Sequence, residues 1–225
     1  MKTDTKVTRL YMFFGILFTT CLLISNIIAY KQLSFLNWSV PAAVLVFPIS
    51  YMMSDVITEI YGFKAARFIM WLGFFMNLLV VLFFTLAIQL PAPGWFEGEE
   101  MFGAVLGNAP RALIASLAAY LIGAWANSAV LSKMKVMSED GKNFGLRAVV
   151  STLVGEGLDS LVFMPIAFLG ILPLAQLPIM MLVQVSVKTV YEIIALPLTK
   201  YLVKKVKQHE NIDTFDFGEK YNIVK

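Results

Sequence analysis

Residues 148–171 read AVVSTLVGEGLDSLVFMPIAFLGI, an apolar run long enough to cross a bilayer that nevertheless holds Glu156 and Asp159 near its middle. A charge at that depth costs roughly 2.5–3.5 kcal/mol on insertion scales, so both carboxylates must face protein or a watery cavity. Two more apolar runs hold a charged pair. Asp55 and Glu59 lie in the apolar run 38–59, and Lys188 and Glu192 in the run 174–203. Spacings of three or four residues put both members of a pair on one helix face. Six buried charges in three close pairs therefore predict a polar pathway or binding site enclosed by helices.

Composition supports that reading. The 225 residues are 59% hydrophobic and only 15% charged, with a mean hydropathy of +0.75, whereas soluble domains carry about 25% charged residues. The predicted fold class is an all-α integral membrane protein made of one domain, residues 1–225. Its six spans are predicted at 10–30, 38–59, 65–90, 111–131, 148–171 and 174–203, each near the roughly 20 residues a bilayer core requires. The first run is longer than a signal-peptide core and no small-x-small site follows it, so it is read as an uncleaved span. Cys21 has no second cysteine to pair with, and the lone His209 is expected in a solvated polar tail. No Cys/His cluster suggests a metal site, and no cofactor motif is present.

Lys2, Lys6 and Arg9 precede the first span, and Lys64 and Arg67 separate the second and third. Lys133, Lys135, Lys142 and Arg147 separate the fourth and fifth, and Lys200, Lys204, Lys205 and Lys207 follow the sixth. The other side has only Lys31 and Arg111 with the acidic Glu97, Glu99 and Glu100, so both termini are predicted cytoplasmic. Trp38 and Trp95 are expected as interfacial anchors, while Trp71 and Trp125 could pack or stack a planar ligand.

Six spans split into two sets of three, and an odd-numbered half duplicated in the membrane would insert upside down. Ser25-Asn26 is faintly echoed by Asn127-Ser128. The second span of each half is expected to be interrupted, the first by Pro41 and Pro48, the other by Gly155, Gly157 and Pro165.

Each charged pair has a plain reading beside the functional one. Glu59, nearest the helix end, could reach interfacial water with Lys64 and Arg67 as partners. Asp55 lies one turn deeper, and its depth favours function. Glu156 and Asp159 could form an interhelical ion pair with Lys188, or Lys188 and Glu192 could neutralise each other. A net acidic site would suit a ligand rich in N–H donors or bearing an amine.

An enzyme is the weaker reading. Gly155-Glu156-Gly157-Leu158-Asp159 resembles the glycine-aspartate signature of intramembrane aspartic proteases, but its aspartate is one residue too far along and no Tyr-Asp partner exists. Phosphate-binding loops and activated nucleophile arrangements are also missing from the sequence.

Phe47-Pro48 through Asp55, Thr58, Tyr61-Gly62 and Arg67 resemble the signature of the queuosine precursor transporter family, also called the vitamin uptake transporter family. So do Arg111, Ser116, Tyr120 and Gly123; Ser151-Thr152, Gly155 and Asp159-Ser160; Ala167-Phe168; Lys188; and Ser25-Asn26. The likeness covers essentially all six spans. It implies uptake of 7-cyano- and 7-aminomethyl-7-deazaguanine across the bacterial inner membrane for tRNA queuosine synthesis. It also implies a fold similar to the substrate-binding components of energy-coupling-factor transporters. The chain departs from the family pattern at Ala124, Asn127 and Glu156.

A guanine-like edge presents adjacent N1–H and amino donors that one carboxylate can accept, and its O6 needs a donor. Asp159 or Glu156 is expected on the donor edge, with Asn26 and Lys188 positioning the ring and Asp55 receiving on the cytoplasmic side. Asp55, Glu59 and Glu192 are the gating or coupling candidates. The expected partners are a small nucleobase-like molecule and the lipid bilayer, and not nucleic acid. The rival reading is a substrate-binding subunit needing an ATPase and a partner membrane protein, docked through Ala115, Ala118, Ala119, Gly123 and Ala126. An intramembrane hydrolase is a more distant third.

Overall fold

The computed structural model describes residues 7–28, 31–35, 38–107, 110–138, 141–168, 170 and 174–224. Lys2 and Lys6, together with the side chains of Pro41, Phe47, Pro48, Trp38, Arg111, Ala167 and Phe168, lie outside what is described.

Helix α1 (Arg9–Ile28) leads into a two-stranded antiparallel hairpin, β1 (Gln32–Phe35) and β2 (Trp38–Pro41), and then a 3-10 turn over Ala42–Leu45. In the hairpin Gln32 stands opposite Pro41, and Phe35 opposite Trp38. Five more helices make up the body with α1: α2 (Phe47–Tyr61), α3 (Phe63–Gln89), α5 (Pro110–Met137), α6 (Phe144–Phe168) and α7 (Gln176–Glu210). A short α4 (Glu99–Leu106) lies in the acidic loop and buries none of its residues.

Among the described residues, five helices are long and apolar enough to cross a membrane: α1, α3, α5, α6 and α7. Run 38–59 is therefore not the single continuous span predicted. Its first residues pair as a strand and its helix begins only at Phe47. The prolines give the reason: Pro48 lacks a backbone N–H, which is harmless in the first turn of a helix and disruptive within one. At 1.5 Å per residue α2 spans only about 22 Å, against a bilayer core of about 30 Å.

Helix α6 departs from expectation in the other direction. Despite Gly155, Gly157 and Pro165 it runs unbroken from Phe144 to Phe168. Gly155 serves packing instead, since a Cβ there would lie 2.9 Å from both the Asn127 Cβ and the Gly123 carbonyl oxygen. Gly123 is equally confined, 2.9 Å from the Asp159 Cβ and 3.0 Å from the Gly155 oxygen. Facing glycines let α5 and α6 cross at backbone contact. Ala115, Ala119 and Ala126 of α5 are likewise buried inside the protein.

Short α2 is enclosed by α1, α3, α5 and α7. Its Met52, Met53, Val56, Ile57 and Ile60 form the core with Phe14 and Phe18 of α1, Ala66 and Ile69 of α3, and Val203 and Val206 of α7. The outer faces of α3 and α7 expose Phe68, Phe75, Leu82, Phe83, Leu182, Ile194 and Leu198. So large an apolar surface is what a protein immersed in lipid presents. The chain is a multi-pass helical membrane protein.

Helix ends converge at one pole. Thr8 and Tyr61 both donate to Glu210, at 3.1 and 2.7 Å, and the Tyr11 hydroxyl donates to the Ala65 carbonyl at 3.1 Å. The starts of α1 and α3 and the ends of α2 and α7 thus share that pole, and the body helices alternate in direction.

Candidate functional site

Tyr51, Asp55 and Glu59 follow each other at four-residue spacing on α2, so they form one stripe along its face. Because α2 is surrounded by other helices, each of the three anchors a separate polar tier.

The tier at the pole is built on Glu59, which is 1% exposed. Arg147 of α6 grips its carboxylate in bidentate fashion at 2.7 and 3.0 Å, Lys207 of α7 bonds it at 2.8 Å, and Lys135 of α5 stands 3.8 Å away. Lys135 also donates to the Glu59 carbonyl, to Asp213 and, at 2.7 Å, to the Thr214 carbonyl. Lys207 reaches Asp213 at 2.8 Å. The partners anticipated for Glu59 were Lys64 and Arg67, and neither joins it. Lys64 pairs with Glu219 at 2.7 Å, and Arg67 donates to the Asn222 carbonyl at 2.9 Å. Glu59 shares the inward stripe of α2, whereas Lys64 and Arg67 lie on α3, beyond the turn at Gly62.

That tier is covered by the segment after α7. Thr214 donates its N–H to the Ile60 carbonyl at 3.0 Å, while Trp71 and Trp125 donate their indole N–H groups to the Ile223 and Tyr221 carbonyls at 2.9 and 3.0 Å. Both tryptophans therefore hold the tail by their polar edges. Asp216 accepts from Ser132 and, at 2.8 Å, from the backbone N–H of Phe63. Phe63 opens α3, whose N-cap is Gly62, so a distant carboxylate supplies the cap that glycine cannot. Gly62 itself has φ +84°, and a Cβ there would lie 2.8 Å from Asp216 and Thr214. Burial pushes the Asp213 carboxyl up, but hydrogen bonds from Lys135 and Lys207 and their charges outweigh it and hold the group below the ordinary carboxylate value. His209 is exposed on the last turn of α7, just before the left-handed cap at Asn211.

The middle tier is built on Asp55, wholly buried. Asn127 of α5 donates its amide to Asp55 Oδ1 at 2.9 Å. The Glu192 carboxyl of α7, 3% exposed, lies within hydrogen-bonding reach of the Asp55 carboxyl. One turn along, Thr58 Oγ1 and Ser128 Oγ lie 3.2 Å apart.

The third tier joins α6 and α7. The Lys188 ammonium bonds Glu156 and lies 3.5 Å from Asp159. It also stands 5.6 Å above the centre of the Tyr51 ring. One cation between two carboxylates leaves this group net acidic, with an aromatic face beside it.

The expected site residues are thus sorted differently from the sequence pairs. Glu156, Asp159 and Lys188 do come together. Asp55 and Glu59 separate into different tiers, and Lys188 does not neutralise Glu192, because each turn of α7 meets a different neighbour. Asn26 is half-buried near the end of α1 and, among the described residues, bonds to none of these groups. Tyr51, Asn127, Lys135, Arg147 and Lys207 join the tiers without having been singled out as site residues. For Tyr51 and Asn127, polar groups inside apolar runs were the available signal.

Residues 41–202 match the family described as "Putative vitamin uptake transporter". A "Probable queuosine precursor transporter" of Bacillus subtilis (strain 168) is 27% identical over 157 residues, covering 69% of this chain and 68% of that protein. No solved structure matches the chain. The matched segment takes in all of α2, α3, α5 and α6 and most of α7, and with them Tyr51, Asp55, Glu59, Asn127, Glu156, Asp159, Lys188 and Glu192. The chain belongs to the vitamin uptake transporter family.

Proposed function

We propose that this chain imports queuosine precursors, 7-cyano- and 7-aminomethyl-7-deazaguanine, across the bacterial inner membrane for tRNA modification. The observation that carries the reading is Lys188 held between Glu156 and Asp159 beside the Tyr51 ring. A 7-deazaguanine presents two adjacent N–H donors, one carbonyl acceptor and a flat face. This group offers carboxylate acceptors, an ammonium donor and an aromatic surface. Asp159 or Glu156 takes the N1–H and amino edge, Lys188 with Asn26 positions the ring through O6, and Asp55 receives the base on the cytoplasmic side. The name of the Bacillus subtilis relative supports the same substrate class, and the family match supports an uptake transporter.

In this reading residues 1–225 form one transport domain. The short α2 with its preceding hairpin completes a sixth crossing, and the basic pole carrying Lys64, Arg67, Lys135, Arg147 and Lys207 faces the cytoplasm. The protein works as a stand-alone carrier rather than an enzyme, its halves α1–α3 and α5–α7 rocking about the middle tiers. Of the small residues of α5 that could have docked a motor subunit, Gly123 is already used against α6, and Ala115, Ala119 and Ala126 are buried inside the protein.

The test is tRNA queuosine in a bacterial strain that cannot make the precursors and lacks its own importer, supplied with nanomolar 7-cyano-7-deazaguanine. Expression of this chain should restore queuosine. Asp159→Asn and Lys188→Met should lower uptake at least about tenfold, since each removes a charged hydrogen bond of about 1.5–3 kcal/mol. Full uptake by a well-expressed Glu156→Gln/Asp159→Asn double variant would sink the site assignment.

A further inference from the structure

Asp55 and Glu192 are the two ionisable groups of the middle tier, and the described protein gives them no cation. Asp55 Oδ1 takes the Asn127 amide, while Asp55 Oδ2 and Glu192 Oε1 are buried and receive no N–H or O–H donor. Their carboxyls nonetheless meet within hydrogen-bonding reach.

Every charge nearby is committed elsewhere. On α2, Glu59 is held by Arg147 and Lys207. On α7, Lys188 belongs to Glu156 and Asp159 of α6. Helix α5 contributes Asn127 here and no charged residue between Arg111 and Lys133. Helix α3 has none after Arg67, and α1 none after Arg9, its Cys21 and Tyr11 being neutral. Two carboxylates facing each other in a buried site strongly disfavour ionising together, and a hydrogen bond between them exists only when one carries a proton.

We propose that the Asp55–Glu192 pair is a proton-binding site that couples substrate import to the proton gradient. This rests on the transport reading above and adds its driving force. With the proton present, α2 and α7 are tied together. When it leaves, two negative charges oppose each other and the helices part. Tyr51 lies one turn from Asp55, and Lys188 one turn from Glu192, so that movement acts directly on the third tier. Proton occupancy and the geometry around the base are thereby linked through the same two helices.

The experiment uses the full chain in proteoliposomes with radiolabelled 7-cyano-7-deazaguanine. Exchange of labelled for unlabelled base at equal pH needs no driving force and tests the transport reading alone. Next, a gradient of about one pH unit, acid outside, is applied in sodium-free buffer with the potential clamped by potassium and valinomycin. Wild type should accumulate the base up to about tenfold, the limit for one proton per neutral molecule. Glu192→Gln should exchange like wild type and accumulate nothing above equilibrium. Exchange without pH-driven accumulation in wild type, accumulation driven by sodium instead, or accumulation persisting in Glu192→Gln would each overturn the proposal.

If wild type fails even to exchange this base, the substrate reading fails, and the proton site is judged by infrared spectroscopy of the purified protein. A protonated-carboxyl stretch that disappears in both Asp55→Asn and Glu192→Gln supports it. Absence of that band, or its survival in both variants, refutes it.

Discussion

Replacing Glu59 by glutamine should be among the most damaging conservative changes in this protein. The substitution keeps side-chain size but removes the charge that Arg147 grips at 2.7 and 3.0 Å and Lys207 at 2.8 Å. Arg147 is only 2% exposed, and Lys135 only 1%. Asp213 would then be the sole carboxylate left for three clustered cations. Removing one member of a buried pair typically costs about 3–5 kcal/mol. At about 2–4 °C per kcal/mol for a chain of this size, the melting temperature should fall by about 6–20 °C. Arg147→Gln should cost less, about 1–3 kcal/mol, because Glu59 keeps Lys207. The double variant should lose less than the sum of the two, since it leaves neither charge stranded. Thermal unfolding of the purified protein in detergent measures all three, with Lys64→Gln as the control. Lys64 pairs with Glu219 at an exposed site, where an ion pair contributes below about 1 kcal/mol. If Glu59→Gln melts no lower than Lys64→Gln, Glu59 is not the hub of the pole.

Other tests bear on the tail and the helix crossing. Gly62→Ala should destabilise by about 1–3 kcal/mol, because φ is +84° and its Cβ would enter the space of Asp216 and Thr214; faster proteolysis of residues 211–224 would register the loosened tail. Asp213 has its folded-state pKa below the ordinary value, so its anchoring contribution is complete above the unfolded pKa of about 3.9 and is lost as pH falls through the lower folded value. Tail hydrogen exchange should therefore stay flat from neutral pH down to about 4, after allowance for intrinsic rates, and rise below it, while Asp213→Asn should exchange fast throughout. Gly155→Leu should force α5 and α6 apart at a cost of at least about 1–3 kcal/mol. Because it also shifts Asn127 away from Asp55, transport should fall even in protein that still folds.

The sequence alone determined the solvent this chain folds in and the rough places where it crosses. Long apolar runs leave few choices when each backbone polar group must be satisfied inside the segment, and five of the predicted spans correspond to α1, α3, α5, α6 and α7. It also marked Glu156, Asp159 and Lys188 as a group, since charges inside such runs are too costly to stand alone. Only the tertiary structure decided which charge answers which. Spacing along one helix puts Asp55 beside Glu59 and Lys188 beside Glu192, but each helical turn rises about 5.4 Å, so successive side chains of a stripe meet different neighbours. Asp55 thereby finds Asn127 and Glu192, Glu59 finds Arg147 and Lys207, and the tail after Glu210 returns to cap α3 through Asp216. Periodicity reports the face a residue occupies, while a partner distant in sequence is fixed only when packing brings the helices together.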